Sequence, residues 1–260
     1  MLCESEPPNA MNAVASSILV FVCAFGGALI GMFIHRLLPD RHTGPQTQDV
    51  VRLGMGLVAT TLALVLGLMV ASAKSFYDTQ SAEVTQLSAN ILLQDRLLAH
   101  YGPETAEARA VLQTSVVRQM ELMWQKDGSN KSSVQLRAPM GEVLDKIQGL
   151  APKDDRQRSL QAQALSLEIQ IGQIRLLMFE QRRVPVPKPL LGMLIFWLIA
   201  LFISFGMFAP PNFTVFAGLF VAAAAVCGAI FLILEMYYPY TGLIQVSDAP
   251  LRAALAQLGQ

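Results

Sequence analysis

The stretch of sequence that decides the fold is residues 53–72, LGMGLVATTLALVLGLMVAS, which contains no charged residue. A bilayer core about 30 Å thick is crossed by roughly 20 helical residues that rise about 1.5 Å each. The stretch therefore predicts a membrane-spanning helix. Because no Gly or Pro follows Ser72 until Gly102, we expect this helix to leave the membrane and continue as one rod to about His100.

Three further apolar runs have the same character, and they cover residues 13–34, 190–208 and 213–236. The first run is longer than a signal-peptide core of about 7–15 residues, and acids precede it instead of basic residues, so we interpret it as a retained span. Residues 209–212, APPN, separate the last two runs. Since proline stops a helix, these two runs predict a transmembrane hairpin.

The composition excludes several classes of protein. Of the 260 residues, 53% are hydrophobic and 15% are charged, whereas soluble domains average about 25% charged residues. Lys and Arg together number 19, as do Asp and Glu, so the net charge gives no reason to expect nucleic acid as a partner. The three cysteines lack the spacing of a metal site or of a disulfide framework. The sequence predicts a multi-pass membrane protein.

Four spans place both termini and the long middle segment on one face of the membrane. Basic residues favour the cytoplasmic side, and five near this face against three near the other predict cytoplasmic termini in a bacterial inner membrane. The five are Lys74, Arg182, Arg183, Lys188 and Arg252, and the three are Arg36, Arg41 and Arg52. The expected parts are an N-terminal tail (1–12), spans one and two (13–72), a cytoplasmic helical domain (73–189), the hairpin (190–236) and a C-terminal cytoplasmic tail (237–260).

The middle segment also has helical patterns. Beyond the stop at Gly102, we expect helices to about Trp124, over residues 138–149, and from Asp154 to about Arg182. The last helix carries an apolar stripe with 4-3-4-3-4 spacing, the heptad seam: Leu160, Ala164, Leu167, Ile171, Ile174 and Met178. Such a heptad pattern predicts packing against the rod, within one subunit or between subunits. The predicted fold is all-α, with four transmembrane helices and a helical, coiled-coil-like cytoplasmic insert between spans two and three.

No catalytic motif accompanies this pattern. The sequence contains no G-x-S-x-G, H-E-x-x-H, Walker or Rossmann motif, so we predict neither an enzyme nor a bound cofactor. His35, Asp40 and His42 have ligand chemistry, but polar residues are expected in any interfacial loop and nothing fixes a ligand geometry. We therefore predict no metal site.

Span two is unusually rich in small and weakly polar residues: Gly54, Gly56, Thr60, Thr61, Gly67, Ala71 and Ser72. In one interpretation they let helices approach closely, as Gly67-x-x-x-Ala71 and, on span one, Gly27-x-x-x-Gly31 would allow. In the other, span two lines a pore, with Thr60, Thr61 and Gly67 on its wall. An apolar stripe that includes Leu87 and Ile91 would then form a neck where the rod leaves the membrane.

Glu235 is the one acid within an apolar run, next to the end of span four. Its side chain could extend to the membrane interface. Alternatively, it could lie at a pore mouth or pair with Arg182 or Arg183.

Several stretches together resemble the bacterial bestrophin-like membrane proteins, from about residue 15 to the end. These stretches are Gly56–Gly67 followed by Phe76-Tyr77, Gln86–Glu104, Phe196-Trp197, Gly206–Pro210 and Pro239–Arg252. The chain departs from the family at Tyr237, where an acid is usual, and at Leu176, where an aromatic residue is frequent. The resemblance implies four spans, cytosolic termini and, by analogy with bestrophins, an oligomeric ion channel whose second span lines the pore.

Two functional hypotheses follow. The first is a homo-oligomeric channel whose partners are the lipid bilayer, further copies of the chain and inorganic ions. The second is a non-conducting scaffold or sensor whose cytoplasmic helices bind a protein partner through the heptad seam.

Overall fold

The structure is a computed structural model of the chain, and it describes residues 10–37, 45–124, 139–181, 188–210, 212–240 and 242–259. Every regular element in these residues is a helix, which confirms the all-α class. The helices are α1 (Ala10–Leu37), α2 (Pro45–Tyr101), α3 (Ala106–Met123), α4 (Pro139–Gln148), α5 (Asp155–Gln181), α6 (Lys188–Phe208), α7 (Phe213–Met236) and α8 (Ala249–Gln257). Four of them, α1, α2, α6 and α7, are long and apolar enough to cross a membrane.

Helix α2 runs without interruption for 57 residues. Its C-terminal end agrees with the prediction, because Gly102 has a φ of 138°, which other residues rarely adopt, and Pro103 opens a 3-10 turn. Its N-terminal end does not. The charge-free runs end at residue 34 and begin again at residue 53, whereas α1 continues to Leu37 and α2 begins at Pro45. Proline is favoured at the first position of a helix, where its missing N–H is not needed, so Pro45 can start α2 ahead of the apolar run.

The chain divides into two compact units. The membrane unit contains α1, α2 up to Phe76, α6 and α7, and the polar unit contains α2 from Tyr77 together with α3, α4, α5 and α8.

Close backbone contact between α1 and α6 organises the membrane unit. A Cβ atom added at Gly31 would clash with the carbonyl oxygen of Ile203, and one added at Gly206 would clash with the carbonyl oxygen of Ala28. One turn earlier on α1, a Cβ at Gly27 would lie 3.4 Å from the carbonyl oxygen of Ile199. The glycines that the sequence suggested for helix packing on span one therefore have this role.

In the polar unit, the heptad seam lies on α5 and is buried against α2 of the same chain. Val84, Leu87 and Ile91 of α2 share one apolar cluster with Leu167 and Ile171 of α5, where Met178 also packs. Ala164 is buried as well, and the amide of Gln94 donates a hydrogen bond of 3.1 Å to its carbonyl oxygen. The predicted packing of the seam on the rod is thus found within one subunit, while a supercoiled geometry stays a prediction.

The C-terminal residues, predicted as a cytoplasmic tail, include the helix α8. In α8, Leu251 and Ala254 have no exposed surface, because they pack into the polar unit. The indole N–H of Trp124 donates to the carbonyl oxygen of Val246 at 2.9 Å, and the hydroxyl of Ser88 donates to that of Pro250 at 2.6 Å. These contacts attach the segment to α2 and α3.

The glycine contact between α1 and α6 can be tested with one added methyl group. Replacing Gly31 with Ala should lower the free energy of unfolding by about 1–3 kcal/mol, because the new Cβ meets backbone that cannot rotate away. Reversible unfolding of the purified protein in mixed micelles measures the change. Gly26→Ala is the matched control, since a Cβ at Gly26 meets no atom within 4 Å. Equal stabilities for the two variants would contradict this account of the packing.

Candidate functional site

Within the membrane unit, α2 is the helix that the protomer covers least. In its most apolar part 11% is buried, against 33% for α1, 33% for α6 and 28% for α7. Leu57, Leu64 and Leu68 are 71%, 67% and 63% exposed. In a membrane, such an exposed apolar face contacts lipid or another chain, or it forms part of the wall of a pore. This face is the candidate functional site.

The small residues of α2 lie on part of the same face. Gly56, Thr60 and Gly67 are all exposed, and their spacing of four and seven residues places them on one side of a helix with about 3.6 residues per turn. A Cβ added at Gly56 or at Gly67 would meet no atom within 4 Å. Among the described residues of the protomer, then, no helix packs closely on these glycines.

The two threonines predicted to line a pore face different directions. Thr60 is exposed and Thr61 is half-buried, because consecutive residues are about 100° apart around a helix. Both hydroxyls donate to the carbonyl oxygen of Leu57, at 2.8 and 2.9 Å. A hydroxyl that donates in this way keeps its lone pairs, so the outward face of Thr60 offers hydrogen-bond acceptors.

Leu87 and Ile91, the predicted neck, lie elsewhere. Both side chains are 0% exposed and belong to the apolar core that joins α2 to α5 in the polar unit. A side chain with no exposed surface in the protomer cannot line a lumen. The apolar stripe that suggested a neck is explained by packing within the chain.

Glu235 is buried instead of reaching an interface. It is 1% exposed, and its Oε1 atom accepts hydrogen bonds from the backbone N–H groups of Leu243 and, at 3.4 Å, Ile244. Gly242 has a φ of 122°, and a Cβ there would clash with the Glu235 carboxylate. The carboxylate therefore holds the chain that follows α7. Its suggested partners Arg182 and Arg183 lie outside the described residues.

Tyr237 directly follows the last residue of α7. Its ring stacks on Phe76 with 5.6 Å between the centroids, and its hydroxyl lies 3.4 Å from the Oγ of Ser72. An aromatic side chain at this position thus packs α7 on α2 within the membrane unit.

The role of Glu235 as an acceptor predicts a graded effect of substitution. Glu235→Ala should lower the free energy of unfolding by about 1–3 kcal/mol, because the N–H groups that it accepts from lose their partner. Glu235→Gln keeps an oxygen acceptor and should cost less. Thermal unfolding in detergent gives the order of the three proteins. Identical midpoints for the native protein and both variants would contradict the assignment.

A pair of buried ionisable side chains lies in the polar unit. Glu168 and Arg175 of α5 are 3% and 9% exposed, and the Nη2 atom of Arg175 lies 3.4 Å from the Oγ of Ser115. Burial raises the pKa of Glu168, and the positive charge of Arg175 opposes part of that rise. Burial likewise lowers the pKa of Arg175. Glu168 was not singled out from the sequence, because an acid on an amphipathic helix usually faces water.

The raised pKa of Glu168 makes the folded protein favour its neutral form. Stability should therefore fall as the pH rises above about 4.5, the ordinary value of the group, through the higher pKa of the folded state. In Glu168→Gln this part of the pH dependence should be absent. Unfolding midpoints at pH 5 to 8 test this, with the exposed Glu180→Gln on the same helix as the control. The prediction is wrong if all three proteins show the same dependence on pH.

No group of three or more His, Cys, Asp or Glu side chains that could hold a metal ion occurs in the part of the chain that the structure describes. The histidine site considered from the sequence is not tested, because Asp40 and His42 lie outside that part.

Comparison with known proteins adds a family and a fold. A family model described as the Bestrophin-like domain matches residues 21–251. The fold is similar to that of a variant of a bacterial bestrophin homologue from Klebsiella pneumoniae, with a TM-score of 0.67, 13% identity and coverage of 94% of this chain and 97% of that one. A second variant of that homologue gives a TM-score of 0.64 and 14% identity, with coverage of 94% and 99%. No curated protein matches the sequence.

Proposed function

Because this chain belongs to the bestrophin-like family, we propose that it is a homo-oligomeric ion channel of the bacterial inner membrane in which α2 faces the pore. The observation that carries the proposal is the uncovered face of α2, which is the least buried of the four apolar helices. We further propose that both termini and the polar unit are cytoplasmic, because five basic residues flank that side of the membrane and three flank the other.

The uncovered face suits a ring of identical subunits. Lipid can cover leucines, but it gains little from contact with glycine and threonine, where the helix backbone is close to the surface. Around a symmetry axis, each α2 has one side against its neighbour and another side toward the axis. Leu57, Leu64 and Leu68 supply one such side, and Thr60 and Gly67 supply the other.

Thr60 is the residue that we place on the pore wall, together with Gly67. The Thr60 hydroxyl is exposed and donates to the carbonyl oxygen of Leu57, so a ring of these residues presents oxygen acceptors to the lumen. Such a ring favours water and cations over anions. The half-buried Thr61 contributes at most an edge, and Leu87 and Ile91 are not part of the proposed wall.

Ion flux through the purified protein in liposomes tests the proposal. The native protein should pass small cations above the rate of empty vesicles, and Thr60→Leu should reduce that flux several-fold, because the larger side chain narrows the lumen. Thr214→Leu is the matched control, since Thr214 is an exposed threonine on α7. The proposal fails if no flux is found over a range of pH and calcium concentrations, or if the two variants change the flux equally.

The alternative function, a scaffold or sensor that binds a cytoplasmic protein, depends on the heptad seam of α5. Leu167 and Ile171 of the seam are 7% and 0% exposed because they pack on α2 of the same chain. Since those side chains are already in contact, they are not free for a partner. The channel is therefore the function that we propose.

A further inference from the structure

A cleft of about 360 Å³ lies on the membrane unit between α2, α6 and α7. Its walls are mostly apolar, with Met55, Phe205, Phe208 and Leu219 among the lining residues. On the α2 side, Gly56 leaves open space, because a Cβ added there would meet no atom within 4 Å. A flexible apolar chain could therefore enter the cleft beside α2.

Among the described residues that line the cleft, Arg52 is the one that carries a charge. It directly precedes Leu53, the first residue of the charge-free run of α2, so it lies where the apolar part of the helix begins. Phe208, at the end of α6, lines the same cleft. The cleft therefore combines a cation at the edge of the membrane with an apolar wall.

The guanidinium of Arg52 is available to a ligand. Its side chain is exposed, and in the described part of the chain no carboxylate forms an ion pair with it. Asp49, one turn earlier on α2, is also exposed and is not within ion-pair distance. A cation that has no carboxylate partner among the described residues, and that lies beside an apolar cleft, is complementary to an amphiphile with a negative head.

We propose that this cleft binds an anionic phospholipid of the surrounding bilayer, with its phosphate on Arg52 and part of one acyl chain along Phe205 and Leu219. A guanidinium can donate two parallel hydrogen bonds to a phosphate, and this geometry makes arginine a strong phosphate ligand. Burial of methylene groups against the apolar wall adds to the binding. Basic pockets between transmembrane helices on the cytoplasmic side of membranes bind lipid head groups by the same chemistry.

The lipid should be anionic because only the head group distinguishes it from the bulk bilayer. Any phospholipid can place an acyl chain in the cleft, so the acyl chain alone gives no preference. A zwitterionic head carries a cation next to its phosphate, which opposes the attraction of Arg52. One basic residue near the membrane surface then corresponds to a preference of about five-fold for the anionic lipid. This inference does not depend on the proposed function, since the cleft binds lipid whether or not ions pass.

Native mass spectrometry of the full chain in detergent measures the binding of phosphatidylglycerol and of phosphatidylcholine with the same acyl chains. The native protein should prefer phosphatidylglycerol by about five-fold. Arg52→Gln should abolish the preference but still bind both lipids, whereas Gly56→Leu should weaken the binding of both, because its side chain extends into the cleft from a Cβ that meets no atom within 4 Å.

Two matched controls distinguish this site from general effects. Arg36→Gln removes an exposed arginine from the end of α1, and Gly54→Leu adds a side chain at another open glycine of α2 that does not line the cleft. Both should bind lipid as the native protein does. Loss of the preference in Arg36→Gln to the same extent as in Arg52→Gln would overturn the proposal, since any surface arginine would then suffice.

Two further results would also overturn it. If a free fatty acid of the same chain length displaces phosphatidylglycerol at equal concentration, the site recognises a carboxylate amphiphile and not a phospholipid. If Gly56→Leu changes the number of subunits in the complex while the lipid preference stays intact, a second copy of the chain covers the cleft. Circular dichroism of each variant confirms that it is folded.

Discussion

The constraint on which the rest of the structure depends is the continuity of α2. In a bilayer the backbone must satisfy its own hydrogen bonds, so the apolar run that starts at Leu53 has to be helical. Because no Gly or Pro interrupts the sequence between Gly67 and Gly102, that helix has no reason to stop at the membrane surface. One element of 57 residues thus supplies the uncovered face in the membrane unit and the central core stripe in the polar unit.

Several acidic side chains are buried in the protein, and they differ in their hydrogen-bond partners. Glu235 accepts backbone N–H groups, and Asp95 holds Arg109 through two hydrogen bonds of 2.7 and 2.8 Å. The Oε2 atom of Glu168 accepts no hydrogen bond from the described residues, and burial raises the pKa of this carboxyl group. By comparison, the exposed face of α2, the proposed lipid cleft and the proposed pore wall contain few charged side chains. The acids in the interior therefore organise the protein, whereas the conduction proposed for α2 relies on threonine oxygens and on the shape of the helix surface.

The architecture could be predicted from the sequence wherever the signal is local. Length and apolar character gave the four spans, and Gly102 followed by Pro103 gave the end of the rod. The predictions that failed concern side chains whose surroundings are set by contacts between residues far apart in the chain. Periodicity identified the stripe through Leu87 and Ile91, but a stripe does not reveal whether α5 or water covers it. Likewise, nothing near Glu235 in the sequence indicates that its carboxylate accepts N–H groups from residues 243 and 244. The nine residues of α8 are too few for a convincing period, and only their packing into the polar unit makes them a recognisable helix.

The contact of α1 with α6 has a consequence for genetics. The atoms that would obstruct a larger residue at Gly31 or Gly206 are main-chain carbonyl oxygens, which every amino acid possesses. Trimming a side chain on the opposite helix therefore makes no room, and a suppressor search for partners of a damaged allele should come back without compensating exchanges at Ile203 or Ala28. We therefore expect neither Gly31 nor Gly206 to accept a larger residue while α1 and α6 keep this contact.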